Sequence, residues 1–73
     1  MLEPTALIDI TVNGESRQVP AGLTVKTLLE HLRLDPSRVA VELNRQIVRK
    51  PSWADIRIDP GAALEIVMFV GGG

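Results

Sequence analysis

The residues at 71–73 are Gly71-Gly72-Gly73, and they follow directly on the apolar, β-branched run Ala63-Leu64-Glu65-Ile66-Val67-Met68-Phe69-Val70. The group there that can do chemistry is the carboxylate of Gly73. With a reference pKa of about 3.3–3.7 it is ionised at neutral pH. A carboxylate is a poor electrophile but a competent nucleophile toward the α-phosphorus of ATP. Once adenylated it is a mixed anhydride, open to attack by a sulfur or nitrogen nucleophile. An enzyme doing this must bring the carbonyl into a narrow ATP site, where neighbouring side chains would block entry; glycine has none. Three extended residues reach about 10 Å, so the triplet reads as a thin flexible thread fixed at its base to a strand. A frayed terminus or an added linker accounts equally well for a glycine triplet taken alone, and the preceding body has to decide.

The rest of the chain offers no competing chemistry. It has no cysteine, which removes disulfides, thiolate metal sites and thiol catalysis. The acids are scattered over turns and outer faces, and no serine or threonine has a histidine placed for a triad. His31, the single histidine, sits beside an apolar stripe and reads as a surface or boundary residue. The glycine triplet precedes no helix and so is not a phosphate loop. A formal net charge of −1 argues against nucleic acid as a partner. Met1-Leu2-Glu3-Pro4 is not a signal peptide, and no apolar run is long enough to span a bilayer. A cytoplasmic domain, monomeric when free and with no membrane partner, is expected.

The elements that must position the tail can be read in order. Leu7 to Val12 alternates, with Ile8, Ile10 and Val12 on one face, and Asn13-Gly14 is a strong hairpin signal. Glu15 to Pro20 is a weak second strand at an edge, with Val19 its only large apolar residue. Thr24 is an N-cap and Leu23 a staple toward Leu28; Val25, Leu28, Leu29 and Leu32 form one helical stripe that Asp35-Pro36 ends. Val39, Val41 and Leu43 alternate in a third strand, Asn44-Arg45 turns the chain, and Gln46-Ile47-Val48 is a short fourth. The Arg45, Arg49 and Lys50 cluster reads as a solvated turn, with an acidic partner as the alternative. Ser52 to Asp55 predicts one helical turn, capped by Ser52, with Trp53 packed inward rather than forming a ligand site. Asp59-Pro60-Gly61 has the order of a type II turn, and the last strand follows it.

A hairpin, a helix, a hairpin and a final strand leave strands one and five to pair in parallel at the centre. The expected fold is α+β, a β-grasp with a mixed sheet of four to five strands and one main helix on one face. It divides into a body over 1–70 and a tail over 71–73. Ile8, Ile10, Val25, Leu28, Leu32, Val41, Leu43, Leu64 and Ile66 are the expected core. Leu64, Ile66 and Met68 then face the helix, and Glu65, Val67 and Phe69 face away. With Ala40 and Glu42 these three form the expected partner-binding surface, Gly71 and Gly72 thread the tail, and Gly73 is the reactive site. Phe69 folding back to close the core is the competing placement.

The residues Ile10-Thr11-Val12-Asn13-Gly14-Glu15, Val19-Pro20-Ala21-Gly22, Thr24-Val25, Leu28-Leu29, Val39-Ala40-Val41, Asn44, Ile47-Val48, Trp53, Gly61, Glu65-Ile66-Val67 and Phe69 to Gly73 together resemble the thiamine-pathway sulfur carriers, the ThiS family of the ubiquitin-like β-grasp superfamily. Arg45 and Arg49 stand where that family often has glycine and proline, and Ala62 where aspartate is common, which bears on local turn geometry. The resemblance implies a carrier and co-substrate rather than an enzyme. An E1-like adenylyltransferase (ThiF) would activate Gly73 with ATP and Mg²⁺, a sulfur donor system would convert it to a thiocarboxylate, and thiazole synthase (ThiG) would take the sulfur. No cofactor is expected on the chain itself. Three other readings share the fold: the small subunit of molybdopterin synthase, whose prolines before the final glycines Phe69-Val70 does not match; a ubiquitin-like modifier of lysines; and a binding module with an inert tail.

Overall fold

The computed structural model describes residues 6–70. Five strands, β1 (Leu7–Val12), β2 (Glu15–Pro20), β3 (Val39–Leu43), β4 (Gln46–Val48) and β5 (Ala63–Met68), form one sheet in the order β2-β1-β5-β3-β4. β1 and β5 are parallel neighbours at the centre and the other pairs are antiparallel. This is the expected β-grasp. Among the described residues one α-helix, α1 (Val25–His31), covers one face.

Local chemistry sets each boundary. Thr24 caps α1: its hydroxyl accepts from the Thr27 N–H at 3.2 Å, and Thr27 reciprocates by accepting from the Thr24 N–H at 2.7 Å. The helix stops at the Leu32 cap, three residues before the Asp35-Pro36 signal. Arg33 takes the left-handed conformation (φ 60°), and the Leu34 and Arg33 N–H groups bond back to Leu29 O and Glu30 O at 2.9 and 3.0 Å. That is a Schellman stop, and it returns Leu34 to the edge of the core. Asp35-Pro36 instead opens a 3₁₀ turn over Pro36–Arg38. The second helical turn also differs from its sequence reading. It is a 3₁₀ turn over Lys50–Ser52 that starts after Arg49, with no side-chain cap, so Ser52 ends the turn rather than capping its start. Pro51, with its fixed φ, suits the first positions of that turn. Trp53 is packed inward as expected, and its ring N–H donates to Val48 O at 2.8 Å.

The Asn44-Arg45 turn joins β3 to β4 with both residues at positive φ (51° and 69°). This is the type I′ geometry that suits a right-twisted hairpin, and it holds Arg45 in a region that glycine occupies at lower cost. At Asp59-Pro60-Gly61, Ala62 N–H closes the turn onto Asp59 O at 3.1 Å and Gly61 has φ 83°, as type II requires.

The core lies between α1 and the sheet. Ile10, Val19, Val25, Leu28, Leu29, Val41 and Leu64 are each under 2 % exposed or at that limit, and burying such a side chain is worth about 1.5–3 kcal/mol. Ile8, Leu32 and Leu43, expected in the core, are only half-buried at its margins. Val12, Val19, Leu29, Val39, Val48, Trp53, Ile58 and Ala62 complete it. β5 ends at Met68, two residues short of the apolar run. By alternation Met68 belongs to the helix side, yet it is 53 % exposed, because α1 stops before it can cover that end of the strand.

Candidate functional site

β5 carries the chain toward Gly71, and its two edges are held differently. On one side β3 accompanies it to the end, from Leu43↔Leu64 to Val39↔Met68. On the other side β1 pairs only through Thr11↔Ala63 and Val12↔Leu64 before the hairpin turns away. Asn13, at φ 51° in that turn, continues the ladder with its side chain. Its amide donates to Ile66 O at 3.1 Å and its amide oxygen accepts from Ile66 N–H at 2.7 Å. A primary amide thus replaces one strand residue. Sequence reasoning assigned Asn13 to the turn alone, since nothing in an Asn-Gly pair shows where its side chain will point. Asn44 does similar work at the other end of β5, its side chain accepting from Ala63 N–H at 3.0 Å.

Beyond Met68 the chain is tied once more, by Phe69 N–H to Arg38 O at 2.7 Å. Arg38 closes the 3₁₀ turn that Asp35 caps. The Ser37 hydroxyl and N–H donate to the Asp35 carboxylate at 2.7 and 2.9 Å and hold its carboxyl below the usual aspartate range, with Arg38 beside it adding a smaller pull. Phe69, the first residue after β5, is therefore anchored to a capped turn, and β5 itself stays in register with β3 as far as Met68.

The sheet face away from α1 is open. Cross-strand register sets Ala40 opposite Val67 and Glu42 opposite Glu65 on it, so the structure brings together the four in-strand residues expected there. Val67 is 58 % exposed and Phe69 56 %, and Phe69 is absent from the core cluster; it does not fold back. Ile47, pairing with Glu42, is 76 % exposed and extends the apolar surface. It was missed because alternation over a three-residue strand is hard to read. The one ion pair among the described residues joins Arg38 and Asp35 at 3.7 Å, so the opposed Glu42 and Glu65 carboxylates have no cation beside them there. Like charges facing across a ladder destabilise it.

On the helix side, the residues beside the end of β5 line a groove of about 180 Å³ formed by Val12, Asn13, Glu15, Arg17, Leu32, Leu34, Ile66 and Met68. The remaining candidates are dispersed. His31 is exposed on α1, and Arg45, Arg49 and Lys50 lie exposed around the β3–β4 turn and the strand end, with Lys50 Nζ 5.9 Å from the Trp53 ring centre. Trp53 is core. No group of three potential metal ligands occurs among the described residues, and none of their helices is long and apolar enough to cross a membrane. Gly71 and Gly72, expected to thread the tail, and Gly73, expected to be the reactive site, lie outside the described residues.

Residues 10–73 match the model of the ThiS family. The sulfur carrier protein ThiS of Escherichia coli is 32 % identical over 90 % of this chain and 100 % of its own length. The crystal structure of the thiamine biosynthesis protein ThiS from Geobacter metallireducens superposes with a TM-score of 0.78 at 32 % identity, covering 90 % of this chain and all of that one. A thiazole synthase of Paramagnetospirillum magneticum is 47 % identical over 88 % of this chain, which spans only 20 % of that protein's length. The chain belongs to the ThiS family.

Proposed function

We propose that this chain is the sulfur carrier of thiazole formation in thiamine biosynthesis, with Gly73 as its reactive residue. The observation that carries the proposal is the family match, which extends over residues 10–73 and so takes in the glycine triplet. The carboxylate oxygen of Gly73 attacks the α-phosphorus of ATP in a ThiF-type adenylyltransferase, with Mg²⁺ on the nucleotide, and pyrophosphate leaves. Hydrosulfide supplied by the donor system then attacks the acyl carbonyl, the acyl–phosphate bond breaks, and AMP leaves, giving the thiocarboxylate and a proton. Thiazole synthase takes the sulfur. The similarity of this chain to part of a thiazole synthase supports that partner. The chain itself supplies a substrate group and a docking surface, and its partners supply the catalysis, in the cytoplasm.

Docking falls to the open face, where Glu42 and Glu65, then Ala40 and Val67, then Phe69 lead along β5 toward the tail. An exposed apolar patch rimmed by charge is the usual form of a protein-binding surface, and here it lies directly before the reactive end.

Incubation of the purified chain with the adenylyltransferase, ATP, Mg²⁺ and a sulfur source tests the proposal. Intact-mass and fragment spectra should show one oxygen replaced by sulfur at Gly73. Removal of Gly73 should abolish the exchange while the melting transition stays in place. Sulfur found elsewhere, or none under conditions that load the Escherichia coli carrier, overturns it.

A further inference from the structure

The backbone of β5 alternates in direction, and one residue near its end has no strand beside it on the β1 side. Leu64 O accepts from Asn13 N–H at 2.8 Å, and Ile66 N–H and C=O both meet the Asn13 side chain, so the even-numbered residues point toward the β1 side. Ala63 O and Phe69 N–H point toward the β3 side, meeting Asn44 N–H and Arg38 O at 2.8 and 2.7 Å. Met68 is the next even residue. It sits opposite Val39 in a position that exchanges no bonds with β3, so its N–H and C=O point past the end of the β1–β2 hairpin. No group of the described residues meets them there. Backbone groups pointing outward from an otherwise complete sheet form a template for one more strand.

The groove lies on the helix side of this same edge. Leu32, Leu34, Ile66 and Met68 supply its apolar wall, and Glu15 and Arg17 stand on β2 at its rim. A strand added beside Met68 would direct alternate side chains to the helix side, and the one opposite Met68 would enter this groove.

We propose that the Met68 edge accepts an extended segment of the enzyme that takes the tail, pairing with Met68 N–H and C=O and placing one aliphatic side chain in the Leu32–Leu34 groove. The inference rests on the sulfur-carrier reading, because Met68 lies three residues before Gly71 and an enzyme that encloses the tail comes against this edge. It adds a second contact to the open face: a directional backbone pairing that fixes the angle at which the tail enters, as in other strand-addition complexes. Asn13 closes the edge at Ile66 and so limits the pairing to the last residue of the strand.

Amide hydrogen exchange on the full-length ¹⁵N-labelled chain reads this directly. In the free chain Met68 N–H should exchange rapidly and Val67 N–H, bonded within the sheet, slowly. In complex with purified adenylyltransferase or thiazole synthase, Met68 N–H should gain at least about tenfold protection, and the methyl signals of Leu32, Leu34 and Met68 should shift. Met68→Pro removes the donor while leaving the β3–β5 bonds in place, and should weaken the same complex about tenfold, whereas Met68→Ala, which keeps the donor, should weaken it less. A complex in which Met68 N–H stays unprotected with both enzymes overturns the inference and leaves the sulfur-carrier reading standing. If neither enzyme binds the chain at all, both the inference and the sulfur-carrier reading are overturned.

Discussion

The two faces of one sheet are built from the same strands and have opposite fates. Under α1, Ile10, Val41 and Leu64 are nearly inaccessible; on the far side Ile47, Val67 and Phe69 stand more than half exposed and two glutamates oppose each other without a cation among the described residues. The difference arises from supply. A helix of seven residues covers one face and stops at Leu32, so even Met68, on the helix side by alternation, stays open. The covered face holds the fold together, and the uncovered regions toward the end of β5 are the surface proposed for partners. If this division is right, mutations on the two sides should separate stability from binding.

The largest effect on stability belongs to the covered face. Leu28, fully buried at the centre of the helical stripe, should lose about 2–5 kcal/mol on change to alanine, a large share of what holds so small a domain. Urea unfolding measures it. A shift no greater than that of an exposed substitution would show that the helix contributes little to the core.

Asn13 stands at the seam between the two regions. Asn13→Ala leaves Ile66 N–H and C=O without their partners and should cost about 1–3 kcal/mol. It should also raise the exchange rate of the Ile66 amide more than that of Val67. Equal changes at both amides would mean that the seam opens with the whole sheet rather than by itself.

Much of this architecture was legible because the signals are local. Alternation in Leu7–Val12, the Thr24 cap, the Val25-Leu28-Leu29-Leu32 stripe and the Asp59-Pro60-Gly61 turn each depend on residues a few positions apart. The misplaced features depend on contacts across the chain. Where α1 ends was decided by the return of Leu34 to the core, which favoured a left-handed Arg33 over the later proline. Arg45 at φ 69° shows tertiary pairing imposing a turn geometry that its own residue type does not favour. Ile58 and Ala62 are buried though they lie in loops, where no periodicity marks them. At the candidate site, the outward set Ala40, Glu42, Glu65 and Val67 followed from alternation alone, whereas the Asn13 bridge and the open edge at Met68 required the offset between β1 and β5, which no local pattern encodes.

The open face should resist substitution, or even gain from it. Glu65→Gln removes one of two carboxylates opposed across the ladder and should stabilise the free chain by about 0.2–1 kcal/mol. The gain should shrink as added salt screens the pair. Unfolding midpoints compared at low and high salt check both signs. A loss of stability would show that the two side chains already point apart, and the open face would then be neutral rather than arranged against its own stability.

Phe69→Ala is the sharpest test of the division because it predicts the smallest change in stability. Phe69 is 56 % exposed, lies outside the core cluster, and is fixed through its backbone N–H to Arg38 O rather than through its ring. Removing the ring leaves that bond intact, so stability should move by no more than about 0.5 kcal/mol, as for surface substitutions generally. An aromatic ring at the base of the tail is, by contrast, the kind of side chain on which binding energy concentrates. Affinity for the adenylyltransferase or thiazole synthase should therefore fall at least about tenfold, about 1.4 kcal/mol. Measured together on one variant, unfolding and binding give two opposed outcomes. A stable variant that binds poorly supports the open face as the docking surface. A destabilised variant whose folded fraction binds normally would place Phe69 with the core and would leave the open face without its main anchor.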